Sequence, residues 1–155
     1  MAGMHLGDLQ LTTPAFAHGE RIPDAHTTAG ADTSPELAWS GAPEATVEFA
    51  LVCHDPDAPL TDGFTHWVVA GIPGDATGIS EGGGDAFRQG TSDFGATQFN
   101  GPAPPPGHGT HHYFFHLYAL SGSPELSDGF TRADLLAAID PLVLVQARVV
   151  GTWSR

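Results

Sequence analysis

Residues 100–120 read NGPAPPPGHGTHHYFFHLYAL, and the two halves of this stretch have opposite characters. Prolines at 102, 104, 105 and 106 stiffen the first half, while glycines at 101, 107 and 109 allow close backbone approach to a ligand. From residue 112 to 121 the chain turns so apolar that a strand buried in the middle of a sheet is expected. His111, His112 and Tyr113 stand at the join. His111 and Tyr113 are two apart on an extended chain and therefore share a face. A stiff loop that delivers an imidazole and a phenol to the end of a central strand holds polar groups in one fixed place.

Working outward, residues 46–54 alternate, with Val47, Phe49, Leu51 and Cys53 on one side and Glu48, Ala50 and Val52 on the other. This strand runs into Asp55-Pro56-Asp57-Ala58-Pro59, where two prolines end it and fix the backbone beyond. Residues 65–72 form the next strand, with His66 at its entrance and Pro73-Gly74 as its stop. Leu6, Leu9 and Leu11 suggest a first strand, and Ser34-Pro35 leads into a short one that puts Trp39 in the core. The polar, glycine-rich span 74–100 reads as a long loop. Thr131-Arg132-Ala133-Asp134 before Leu135, Leu136 and Ile139 is an N-capped amphipathic helix. Asp140-Pro141 opens a second short helix, and a last strand is expected from about Ala147 to Trp153. Twenty glycines and 13 prolines are spread between the apolar runs as turns. The whole predicts one domain, residues 1–155, mainly β: an antiparallel sandwich with one or two short helices late in the chain.

Composition narrows the function. The net charge is −13, and the five cations are all arginines, at 21, 88, 132, 148 and 155. Unspecific nucleic-acid binding needs clustered cations and is excluded as an expectation. An anionic membrane surface repels such a chain. No apolar run approaches the ~20 residues that span a bilayer. The first residues show no basic segment followed by an apolar core, so the expectation is a cytoplasmic protein without membrane insertion. Cys53 is the single cysteine and reads as a small buried hydrophobe. Any bound anion must be held by histidines and backbone N–H groups.

The three segments at 55–59, 66–67 and 101–113 suggest a small anion-binding cleft. Asp55, placed by the end of a strand, can orient a histidine by accepting its ring N–H; the plainer reading is a turn in which it caps backbone amides. His66 and His116 each also read as packed, hydrogen-bonded core histidines. Four histidines at 108, 111, 112 and 116 invite a metal, but they do not share a strand face. Adding His66 and Asp55 to one of them could instead build a two-histidine, one-carboxylate iron set, the basis of a rival metal-dependent oxygenase or hydrolase. No Gly-x-Ser-x-Gly elbow supports a serine hydrolase.

The ordered set Asp55-Pro56-Asp57-Ala58-Pro59, His66-Trp67, Gly101-Pro102 to Gly109-Thr110-His111-His112-Tyr113 and Val150-Gly151-Thr152-Trp153 resembles the phosphatidylethanolamine-binding protein family, most of all its bacterial and archaeal Raf kinase inhibitor-like branch. The resemblance implies a Greek-key β-sandwich with a phosphate-binding pocket at one end. It implies that Asp55, Pro59, His66, Gly101, Pro102, His111 and Tyr113 line the ligand site, with no catalytic residue, metal or cofactor; Asp57 joins Asp55 in setting the histidine tautomers and balancing the charge. A small anionic ligand, a protein partner regulated by binding and a homodimer through exposed edge strands are the associations it suggests. Three positions depart from the family pattern: His112 stands for an arginine, Phe99 for a tyrosine and Trp153 for a tyrosine. With the histidines as donors, binding is expected to strengthen from pH 8 to 6.

Overall fold

The computed structural model describes residues 7–155. Among them the strands are β1 (Gln10–Thr12), β2 (Leu37–Ser40), β3 (Glu48–Asp55), β4 (Phe64–Pro73), β5 (Gly78–Ile79), β6 (Arg88–Gln89), β7 (His111–Leu120) and β8 (Val143–Trp153), with helix α1 (Arg132–Ile139) between the last two. They form a three-stranded sheet, β1-β2-β5, and a five-stranded sheet, β6-β4-β3-β7-β8. Every pairing between named strands is antiparallel.

Alternation explains how the layers meet. Phe49, Leu51 and Cys53 of β3, Trp67 of β4 and Phe115 and Leu117 of β7 face Leu11, Leu37 and Trp39 of the smaller sheet and make the inner core. The other side of the same strands gives Ala50, Val52, Val68, Ala70, Tyr118 and Leu120, which α1 covers with Leu135 and Ile139. β3 is therefore buried on both faces, which is why its sequence is apolar at every position from Phe49 to Cys53. Each fully buried aliphatic side chain here contributes roughly 1.5–3 kcal/mol. The capping box places α1: Asp134 N donates to Thr131 Oγ1 at 3.2 Å, and Thr131 N donates to Asp134 Oδ2 at 3.0 Å.

Several expectations change. Val47 precedes β3 and is 52% exposed instead of packing with Phe49. The strand expected from Ala147 begins at Val143, and helical structure ends with a single turn at 140–142. β7 imposes this: its backbone pairs with β8 as far as Leu120 opposite Val143, and a longer helix would strand those groups. The span 74–100 contains β5, a turn at 83–86 and β6, tied down by side chains such as Gln89, whose Oε1 accepts from Trp67 Nε1 at 2.7 Å. His116 is half-buried rather than core, lying between the rings of Phe114 and Tyr118. Burial, with Arg148 alongside, lowers its pKa to about 4. Leu6 lies outside the described residues.

Candidate functional site

β3, β4 and β7 reach one end of the larger sheet together, and each delivers a polar residue there. Asp55 ends β3, His111 opens β7, and both are nearly fully buried. Asp55 Oδ2 accepts from His111 Nδ1 at 2.7 Å, while Asp55 Oδ1 accepts from the Asp57 backbone N–H at 2.8 Å. The carboxylate does both jobs considered from the sequence, since it caps the turn and orients the imidazole.

His66 reaches the same place through an irregularity. Cys53 pairs with Trp67, but His54 pairs with Thr65, so His66 is the extra residue of a β-bulge. Regular alternation would send His66 to the side opposite Trp67. The bulge re-aims it onto the side of Tyr113. Its ring lies 5.2 Å from that of Tyr113, 5.2 Å from Phe64 and 5.3 Å from Phe94, all edge-on. His66 Nδ1 donates to the Asn100 carbonyl at 2.7 Å.

That carbonyl is itself held. Asp32, in the left-handed region at φ 57°, accepts from Asn100 Nδ2 at 3.2 Å and from Gly101 N at 2.7 Å. Gly101 is required by packing: a Cβ there would stand 2.0 Å from the His26 carbonyl oxygen. The Pro102 carbonyl accepts from Thr28 N at 3.1 Å and Thr28 Oγ1 at 3.0 Å, and Arg155 Nε donates to the Pro104 carbonyl at 2.9 Å. Prolines 104 and 105 then turn toward the site.

The cleft that these segments surround is about 270 Å³ and opens to solvent, lined by Asp55, His66, His108, His111 and Tyr113 and by an apolar wall that includes Pro59, Leu60, Phe64, Phe94 and Pro104. A larger groove of about 590 Å³ runs beside β1 and β8, past His18, His116 and Arg148. The smaller cavity is the better candidate because it gathers buried polar groups inside an apolar shell. Among the described residues, Thr46 Oγ1 is the only fully buried side-chain N or O without a partner. The second ring nitrogens of His66 and His111 and the Tyr113 hydroxyl also have no partner there, so they keep open space beside them, and that space is this cavity.

Of the residues expected from the sequence, Asp55, Pro59, His66, His111 and Tyr113 line the cavity. Asp57, Gly101 and Pro102 stand behind it. Asp57 Oδ2 accepts from both His112 N and His112 Nδ1, each at 2.7 Å. His112, in place of arginine, thus still pairs with an acid and ties the 55–59 turn to β7. Phe99 packs edge-on against Trp67, and Trp153 Nε1 donates to Asp24 Oδ1 at 3.0 Å, so neither departure touches the cavity. Phe64, Phe94 and Leu60 were missed as lining residues. Leu60 directly after the proline turn, and Phe94 between Asp93 and Gly95 in a polar loop, are the only signals the sequence holds, and they are weak.

Electrostatics follow burial. Burial pushes the His66 pKa below the usual imidazole value, although the Asn100 carbonyl and Asp55 oppose the shift. Burial, then the Asp55 charge, raises Tyr113, which stays a neutral phenol. Burial favours the protonated form of Asp57, but hydrogen bonds from His112 outweigh it and hold the carboxyl below its ordinary range. No lysine or arginine lines the cavity. Among the described residues, no group of three His, Cys, Asp or Glu is placed to hold a metal ion. Among the same residues, no helix is long and apolar enough to cross a membrane.

Comparison with known proteins agrees with this architecture. A UPF0098 protein of Methanothermobacter thermautotrophicus is 41% identical over 153 residues, covering 95% of this chain and 99% of that protein. The crystal structure of a phosphatidylethanolamine-binding protein homologue from Chlamydia trachomatis superposes with a TM-score of 0.90 at 31% identity, covering 96% of this chain and 99% of that one. Escherichia coli YbcL, described as a member of the mammalian PEBP family, gives 0.89 at 30% identity with the same coverage. The family profile for phosphatidylethanolamine-binding proteins matches residues 12–154. The chain therefore belongs to the phosphatidylethanolamine-binding protein family.

Proposed function

We propose that this protein is a non-enzymatic receptor for a small ligand bearing a phosphate-like or carboxylate anion, seated between His66 and His111. The observation that carries the reading is the convergence of two buried imidazoles, each anchored through Nδ1, and an unpartnered tyrosine hydroxyl on one small cavity. The cavity lining contains no serine, threonine, cysteine or lysine to serve as a nucleophile. Cys53 is buried, and burial raises its thiol pKa well above the ordinary value. The lack of these nucleophiles supports binding over covalent catalysis.

Two of the large apolar side chains most exposed on the surface, Leu60 at 59% and Phe94 at 42%, stand at the cavity. They offer contact to whatever carries the anion, including a protein partner regulated by occupancy of the site. A cytoplasmic location and the Raf kinase inhibitor-like role are part of the same proposal, supported by the family and by the lone buried cysteine.

Calorimetric titration with inorganic phosphate and O-phosphoethanolamine tests the site. A folded His66→Ala, His111→Ala double variant should lose binding by at least about tenfold, and unchanged affinity would rule the site out. Metal analysis of the purified protein separates the rival enzyme reading: stoichiometric iron or zinc together with turnover of a phosphate or carboxylate ester would favour it.

A further inference from the structure

Both histidines of the cavity have their tautomer fixed by protein. The Asn100 carbonyl can only accept, so the neutral His66 ring carries its proton on Nδ1. The Asp55 carboxylate accepts a backbone N–H on one oxygen and faces His111 Nδ1 with the other, so the neutral His111 ring also carries its proton on Nδ1. Each neutral ring is left with a bare Nε2, which is an acceptor. With no lysine or arginine in the lining, the buried side chains there present two imidazole acceptors beside the Asp55 carboxylate and one donor, the Tyr113 hydroxyl. A fully ionised oxyanion brings only lone pairs to that arrangement.

Building on the anion-receptor reading above, we infer that the cavity selects oxyanions that still carry a proton. Dihydrogen phosphate has two P–O–H groups, one for the Nε2 of each of His66 and His111, and hydrogen phosphate or the monoanion of a phosphate monoester has one to donate to either ring, while their charged oxygens accept from Tyr113. Sulfate, ionised throughout the neutral range, cannot donate. A phosphodiester has the right charge and also lacks the proton. His66 and His111 are thus residues that set specificity, and Asn100 and Asp55 position them. Bound ligand and free imidazole compete for the same role as pH falls, because a protonated ring donates from Nε2 and accepts sulfate as readily as phosphate.

Other titratable groups face these rings. Asp55 comes from β3, Tyr113 from β7 and Asp32 from the segment behind Asn100. His108, from the proline loop, lies stacked 6.0 Å from His111 at the exposed mouth. Asp57 and His112 form their own pair just outside. The burial that depresses the His66 pKa favours its neutral, accepting form at neutral pH.

The test is calorimetric titration at pH 7.5 and fixed ionic strength with inorganic phosphate, sulfate, dimethyl phosphate and O-phosphoethanolamine. Phosphate is expected to bind about tenfold or more tightly than sulfate or dimethyl phosphate, the cost of facing unpartnered acceptors across the cavity. O-phosphoethanolamine, whose phosphoryl group has a second pKa of about 6 and is almost fully ionised at pH 7.5, is expected to bind more weakly than phosphate there, and binding as tight as phosphate overturns the requirement for a ligand proton. The phosphate-to-sulfate ratio is expected to shrink at pH 5.5. Sulfate within threefold of phosphate at pH 7.5 overturns the selectivity and leaves the anion site standing, whereas binding of none of the four removes both. Asp55→Asn sharpens the result: the amide oxygen keeps the Asp57 N–H, the amide N–H₂ faces His111 Nδ1, and the ring proton moves to Nε2. The ratio in this variant should fall toward one, and an unchanged ratio overturns the role assigned to Asp55. Ring ¹⁵N shifts in the wild-type protein read the tautomers without any variant, and a protonated Nε2 on neutral His66 or His111 overturns the inference.

Discussion

Two aspartate–histidine pairs lie side by side in this protein, formed by residues two apart on one strand of chain and one apart on the other. Asp55 meets His111 and Asp57 meets His112, each through Nδ1 at 2.7 Å. Contact geometry does not separate them, but environment does. The side chains of the first pair are 6% and 4% exposed, and those of the second 49% and 41%. In water-shielded surroundings the first pair fixes a tautomer and shapes what the cavity accepts. The second, open to solvent, competes with water for the same bond and mainly ties a turn to a strand. Equal distances thus carry unequal energies, because desolvation rather than contact length sets the cost of breaking a pair.

The sharpest way to break this comparison is to remove the histidines in turn. His111→Ala leaves the Asp55 carboxylate buried without its ring partner, and breaking a buried pair this way costs about 3 kcal/mol. His112→Ala should cost about 1 kcal/mol or less. Urea unfolding at pH 7 measures both. Equal losses would show that burial does not distinguish the pairs.

A second effect sharpens the contrast through pH. The pKa of His66 is lowered in the folded state, so the unfolded chain binds its proton more readily below the ordinary imidazole value of ~6.5. The contribution to stability is full above that value and is lost as pH falls through it. His54 and His116, both depressed first by burial, act with the same sign, the latter down to about 4. Urea midpoints of the ligand-free protein should therefore drop between pH 7.5 and 5, and a folded His66→Phe variant should drop less. An identical drop in the variant would remove His66 from this account.

How far the site could be read in the sequence follows from the same physics. Asp55 was legible because a proline-locked turn directly after an apolar strand fixes where a carboxylate goes. His111 and Tyr113 were legible because period-two alternation holds along β7. His66 was legible as a residue but not as a direction: its aim depends on a bulge between Cys53 and His54, and no local pattern marks the slipped pairing. Gly101 was singled out for close approach to a ligand, yet what its missing side chain makes room for is the His26 carbonyl, delivered by a remote segment. The onset of β8 at Val143 was hidden for a similar reason, since the partner strand, not the local propensity, decides it.

The smallest effect falls on Asp57, where two influences oppose. Partial burial favours its protonated form, but hydrogen bonds from the His112 backbone and ring favour the carboxylate, and the result is a pKa below the ordinary value. The contribution is present above the unfolded value of about 4 and is lost as acid protonates the folded carboxyl. Asp57→Asn should therefore differ from the wild-type protein by no more than about 1 kcal/mol at pH 6 and converge with it near pH 3. Because Asp57 stands outside the cavity, phosphate affinity at pH 7.5 should change less than threefold. A large loss of affinity at unchanged stability would mean that the outer pair positions His111 through the shared turn, and the division between a functional inner pair and a structural outer one would fall.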